Sequence, residues 1–219
     1  MHCDETDDPG SRFLEVMADD SVRHGLAGRV TASHCTAMGS YEPYDSSKLH
    51  GFPAAPDQRR SRPVCELADP RPARSLSEAP RLRPPKELLA AGVNVSLGNH
   101  VIMDPWYTLG RADLLHAASL ALHFCHMSGL DEIAEMLRCA TERGARTLGL
   151  EDEYGIEEGR PADLVVWDAP SAIEVMRLLP ARRWVVRRGR VVAETTPAVT
   201  RLYAGDGRQD VVTFQPTSS

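Results

Sequence analysis

No apolar run in this chain of 219 residues approaches the roughly 20 residues needed to span a bilayer. There is no CxxC pair, and the cysteines number five. An odd count of that kind fits reduced thiols in a cytoplasmic protein better than a disulfide framework. Basic excess is also lacking: 25 Lys and Arg stand against 31 Asp and Glu, a formal charge of −6, so a nucleic-acid surface is not the default expectation. The opening Met1-His2-Cys3-Asp4-Glu5 has neither a basic n-region nor an apolar h-region, so a secretory leader is not expected. No internal repeat occurs. What is present is 42% hydrophobic and 26% charged residues, a balance that supports a packed core and argues against wholesale disorder.

The composition is uneven along the chain. Residues 53–85 hold eight of the sixteen prolines and seven arginines, with few β-branched residues and no aromatic. Proline removes donors and interrupts helices and central strands, so this stretch is expected to be irregular. A structureless segment of about 30 residues inside a compact domain is unusual in itself.

On either side of it the pattern is alternating α/β. Ser11 to Gly25 carries Phe13, Leu14, Val16, Met17 and Val22 at helical spacing and ends on glycine. Arg29 to His34 reads as a short strand. Pro85 to Gly92 reads as a helix with proline in its first turn, and Val93 to Leu97 as a strand running into Gly98-Asn99-His100. Ala112–Met127 and Asp131–Arg143 read as helices, the second with Asp131 near its N-cap. Ala162–Asp168, Trp184–Arg187 and Arg190–Ala193 read as strands, the last two joined through Arg188-Gly189 as a hairpin. The expected organisation is therefore an α/β region over 1–150, then a small β-rich region with a tail over 151–219.

The chemistry-bearing residues fall where strands end. His34 ends one expected strand, His100 follows another, and His2 and Glu5 share one short segment. Side chains at the C-terminal ends of parallel strands converge on one mouth of an α/β barrel. Imidazoles and carboxylates gathered there can bind a metal that acidifies water while a carboxylate moves the proton. The residues alone leave plainer readings open. His2 with Glu5 would also fit a frayed terminus, His116, His123 and His126 fit packing within a helix, and Cys3, Cys35 and Cys139 fit small core residues.

The stretch Met1-His-Cys-Asp-Glu-Thr-Asp-Asp8, with Ser11-Arg-Phe13 and Gly28-Arg-Val-Thr-Ala-Ser-His-Cys-Thr-Ala-Met38, resembles the cytosine deaminase branch of the metal-dependent amidohydrolase superfamily. The likeness resumes at Lys86–Val95, Met103-Asp-Pro-Trp-Tyr-Thr-Leu-Gly110 and Ala145–Leu148. It ends at Tyr154–Gly159 and Ala162–Val166, which resemble the superfamily's return to its small β-sandwich. The resemblance implies an α/β fold: part of a TIM-like amidohydrolase barrel, about strands five to eight, plus a small β-sandwich element near the C-terminus. It implies one divalent metal ion, Zn or Fe, and a small pyrimidine-like substrate. His2 matches a metal-ligand histidine at the end of barrel strand five. Glu5 matches the glutamate that carries a proton from the attacking water to the ring and the departing ammonia. His34 matches the histidine that orients the attacking water, and Trp106 a tryptophan near the pyrimidine pocket, where simple packing after Asp104-Pro105 is an equal alternative.

The departures from the family pattern matter as much. No His-x-His, the family's paired ligands on strand one, occurs in these residues. Two adjacent aspartates expected ahead of Asp104-Pro105-Trp106 are His100 and Val101; His100 can ligate a metal, whereas Val101 cannot accept a hydrogen bond. Residues 53–85 do not resemble the strand-seven region, and their composition is what translation in a shifted reading frame would give. Half a parallel barrel leaves strand edges unpaired, so association with itself or with a partner supplying the rest is expected. Two functions stand: a hydrolase deaminating cytosine or a related cyclic amidine, with the isolated chain expected to be inactive, or a catalytically dead remnant or interaction subunit.

Overall fold

The computed structural model describes residues 1–6, 8–42, 44–45, 64–66, 85–99, 102–103, 105, 108–203, 205–207 and 209–212. They divide into two compact units, Met1–Asp152 and Glu153–Ser219. Among the described residues no helix is long and apolar enough to cross a membrane.

In the first unit, strands β1 (His2–Cys3), β2 (Thr31–His34), β3 (Val64–Glu66) and β4 (Asn94–Ser96) form one sheet in the order β1-β2-β3-β4. Every pairing is parallel. Among the described residues the strand order follows chain order without a reversal. A doubly wound sheet would reverse direction partway and open a crevice at the reversal. The strands therefore end on one edge in succession, which sets the site described below.

Strand β3 corrects the expectation that 53–85 is irregular. Val64–Glu66 forms a central strand, paired with Thr31–Ser33 on one side and Asn94–Ser96 on the other. Three consecutive non-proline residues suffice for such a rung. Proline at position 63 does not interfere, because its missing donor falls outside the rung. The remainder of 53–84 lies outside the described residues.

Helix α1 (Phe13–Arg23) follows β1, and α2 (Pro85–Ala90) precedes β4. After β4 come α3 (Leu114–Phe124), α4 (Leu130–Ala140) and α5 (Glu142–Thr147). Asp113 caps α3 by accepting from the amides of Leu115 and His116 at 3.1 and 3.2 Å. The expected helix 131–143 is two helices, broken at Thr141 (φ −127°, ψ −94°). Its N-cap is Gly129, whose amide donates to Glu132 at 2.9 Å, and Asp131 sits in the first turn. Helices α3, α4 and α5 pack in succession, and α5 lies against β4. Met127, Met136, Cys139, Ala118 and Val95 are buried there. The Leu97 amide donates to the Cys139 carbonyl at 3.0 Å, tying the end of β4 to the end of α4.

In the second unit, β5 (Leu164–Trp167), β6 (Arg182–Arg187) and β7 (Arg190–Glu194) make an antiparallel sheet in that order, with α6 (Ala172–Leu178) between β5 and β6. Arg188 (φ 48°) and Gly189 (φ 74°) form the β6–β7 turn with both central residues left-handed, matching the twist of the flanking strands. A separate two-stranded ribbon pairs β8 (Thr200–Tyr203) with β9 (Gln209–Val212).

Candidate active site

The site begins with register. His2 pairs with Ser33 and Cys3 with His34 across the parallel β1–β2 ladder, so His2 and Ser33 project to the same side of the sheet. Their side chains meet: His2 Nδ1 lies 2.5 Å from Ser33 Oγ. Strand alternation alone would send His34 to the opposite side. The backbone breaks that alternation, because His34 (φ 71°) and Cys35 (φ 52°) are both left-handed. The His34 ring consequently lies edge-on to the His2 ring, with centroids 4.6 Å apart. On the other strand, left-handed Asp4 (φ 51°) redirects the chain between His2 and Glu5. Left-handed non-glycine residues are uncommon and gather where a site overrides local preference.

The outcome is a cluster of His2, Glu5 and His34 whose ligand-capable atoms all lie within 4.8 Å of one another. His2 and Glu5 are exposed, whereas His34 is only 8% accessible. Two imidazoles and a carboxylate are the donor set that zinc and other first-row divalent ions accept. Three of the residues expected from sequence are thus brought together at the C-terminal ends of adjacent strands. The other two, His100 and Trp106, lie outside the described residues.

Two residues that sequence reasoning passed over support the cluster. Asp4 is buried (6% accessible) and is reached by four donors, one of which, the Tyr41 hydroxyl, divides its single proton between Asp4 and the closer Ser11 carbonyl. Ser11 Oγ and the Phe13 amide reach one carboxylate oxygen at 2.8 and 3.1 Å; the Leu14 amide and the Tyr41 hydroxyl reach the other at 2.8 and 3.2 Å. A carboxylate at the start of α1 satisfies amides that have no partner within the helix and complements its dipole. Burial, then the charge of Asp4, holds the Tyr41 hydroxyl above its ordinary pKa, so it stays a donor, and it also reaches the Ser11 carbonyl at 2.6 Å. Arg12 stacks 5.1 Å over the Tyr41 ring and pairs with Asp45 at 2.6 Å. Ser33, the second residue missed, binds His2 directly. Its signal was its place beside His34 in a strand whose register with β1 only the fold reveals.

The sequence model of the amidohydrolase family matches residues 1–193. The 5-methylcytosine deaminase of Klebsiella pneumoniae, solved with 5-fluorocytosine, is similar in structure, with a TM-score of 0.80 and 36% identity over 89% of this chain and 48% of that one. The pterin deaminase of Rhizobium rhizogenes is 31% identical over 92% of this chain and 46% of its own length. The N-isopropylammelide isopropyl amidohydrolase of Pseudomonas sp. strain ADP is 28% identical over 84% of this chain and 43% of its own length. The chain thus spans a little under half the length of each of these relatives.

Proposed function

Since the chain belongs to the amidohydrolase family, we propose that His2, Glu5 and His34 are part of a deaminase-type site acting on a small cyclic amidine, cytosine or a related ring. The observation that carries this reading is the convergence of their donor atoms within 4.8 Å at the ends of two adjacent parallel strands. The relatives are named for 5-methylcytosine, pterin and N-isopropylammelide, so the proposal is for a ring class and not for any one substrate. Strands β1 to β4 would correspond to barrel strands five to eight, and the antiparallel sheet of the second unit to the small β-sandwich.

His2 would hold the divalent cation, with His100 as a further imidazole ligand. When bound, such a cation lowers the pKa of a water toward neutrality and so supplies a nucleophile. His34, buried and turned toward His2, orients that water toward the ring carbon bearing the amine. The Glu5 carboxylate accepts the proton that the water loses on adding to the carbon. It passes that proton to the ring nitrogen, then takes the proton of the newly added hydroxyl and delivers it to the exocyclic nitrogen, so the carbon–nitrogen bond breaks, ammonia leaves and a carbonyl remains. Trp106 would flank the ring.

A second reading, a catalytically dead remnant or interaction subunit, is favoured by one observation: Val101 stands where the family resemblance expects an aspartate, and its side chain cannot accept a hydrogen bond. Catalytic zinc sites commonly use three protein ligands and leave a position open. Titration of the metal-free chain with Zn²⁺ and Fe²⁺ separates the two readings. One equivalent bound in the parent and lost in His2→Ala supports the metal-site reading, and no binding supports the remnant. Ammonia release from cytosine is expected to be undetectable for these 219 residues alone. Metal-dependent release abolished by Glu5→Gln would show instead that the chain is a complete catalyst.

A further inference from the structure

We propose that Ser33 is a positioning residue for His2: its hydroxyl accepts the Nδ1 proton of His2 and so presents Nε2, with its lone pair, to a cation. The inference rests on the metal-site reading above and deepens it. The argument is one of hydrogen-bond direction. Ser33 Oγ lies 2.5 Å from His2 Nδ1 and 3.4 Å from the Met1 carbonyl oxygen. A carbonyl can only accept, and the serine has one hydroxyl proton. Both contacts are satisfied together in a single arrangement, with Ser33 donating to Met1 and accepting from Nδ1–H. The backbone holds the serine in place for this: its amide donates to the same Met1 carbonyl at 2.8 Å. Ser33 is buried, so water competes poorly for its hydroxyl. A histidine ligand whose other nitrogen is bonded in this way has its tautomer and ring orientation set before the ion arrives.

The test reads the tautomer directly. Long-range ¹H–¹⁵N correlation on the uniformly ¹⁵N-labelled, metal-free chain, at a pH where histidines are neutral, distinguishes the Nδ1–H from the Nε2–H form of His2. Its resonances are assigned from their disappearance in His2→Gln. The parent and Ser33→Thr, which keeps the hydroxyl, are expected to show the Nδ1–H form; Ser33→Ala is expected to lose it. Calorimetric Zn²⁺ titration is expected to show a dissociation constant raised about 10- to 100-fold in Ser33→Ala and restored in Ser33→Thr. An Nε2–H form in the parent overturns the proposal, and that result needs no variant to fold. Unchanged tautomer and affinity in Ser33→Ala overturn it too. A tautomer that responds to Ser33→Ala in a chain that binds no cation supports the control of His2 by Ser33 and refutes the metal-site reading alone.

Discussion

Replacing Asp4 separates the worth of a buried carboxylate from the cost of a left-handed backbone. Asp4 has φ 51°, a conformation that Asn tolerates about as well as Asp, whereas Ala pays about 1 kcal/mol for it. Asp4→Asn keeps one carbonyl oxygen for two of the four donors and turns an NH₂ group toward the others. Hydrogen bonds to a charged group contribute about 1.5–3 kcal/mol each, but not all four are lost outright. The Phe13 amide belongs to an exposed residue, and the Tyr41 hydroxyl keeps the Ser11 carbonyl at 2.6 Å. The net loss is therefore closer to that of one strong bond, about 2 kcal/mol for Asp4→Asn, and about 3 kcal/mol for Asp4→Ala once the backbone cost is added. With a urea m-value of about 2 kcal/mol/M, these correspond to midpoint shifts of about 1 and 1.5 M. Equilibrium urea unfolding followed by far-UV circular dichroism measures both. Asp4→Asn within about 0.5 kcal/mol of the parent would refute the assignment of Asp4 as the clamp between the site loop and α1, because only surface positions are that tolerant. An Ala variant no worse than the Asn variant would refute the backbone share.

Two further outcomes test other parts of the molecule. Burial pushes the Cys139 thiol up to about 12 from 9.0, so the folded state keeps a proton that the unfolded chain releases at lower pH. Its contribution is complete below the unfolded value and declines as pH rises from about 9 toward 12; the unfolding midpoint of the parent should fall more steeply over that range than that of Cys139→Ala. Gly189 has φ 74° and no atom within 4 Å of where a Cβ would stand, so Gly189→Ala should cost about 1 kcal/mol by conformation alone. A loss above about 2 kcal/mol in thermal unfolding would mean that the turn packs against something.

Local signals carried the elements whose reasons are local. The β6–β7 hairpin was readable because Arg188-Gly189 lies between two valine-rich runs, and β2 because Val30 to His34 precedes a break. Helix α1 was readable from its period, although Phe13, Val16 and Val22 are exposed on it. Strand β3 was hidden because three residues within a proline-rich stretch carry no periodicity, and their place is fixed by ladders from β2 and β4. The break at Thr141 left no mark, since both sides favour helix. At the site, residue types and strand ends were legible in His2, Glu5 and His34, with family resemblance assigning their roles. The turn of His34 toward His2 was not legible: nothing in Ser33-His34-Cys35 announces two left-handed residues in a row.

Those left-handed residues bear on how much of the site is self-contained. Asp4, His34 and Cys35 each occupy a backbone region that costs about 1–2 kcal/mol for a residue with a Cβ. Such conformations persist only where surrounding contacts over-determine them. Here the contacts are close at hand. The Cys35 amide donates to the Cys3 carbonyl at 2.9 Å, the Ala37 amide to the Asp4 carbonyl at 3.1 Å, and the Asp4 carboxylate gathers donors from Ser11, Phe13, Leu14 and Tyr41. Every one of these partners lies within residues 3–41. Contacts made within β1, β2 and the turns that follow them thus support the juxtaposition of His2, Glu5 and His34. Loss of cation binding on removing His2 would then report a missing ligand on a standing frame, whereas loss on removing Asp4 would report collapse of the frame, and the urea midpoint distinguishes the two.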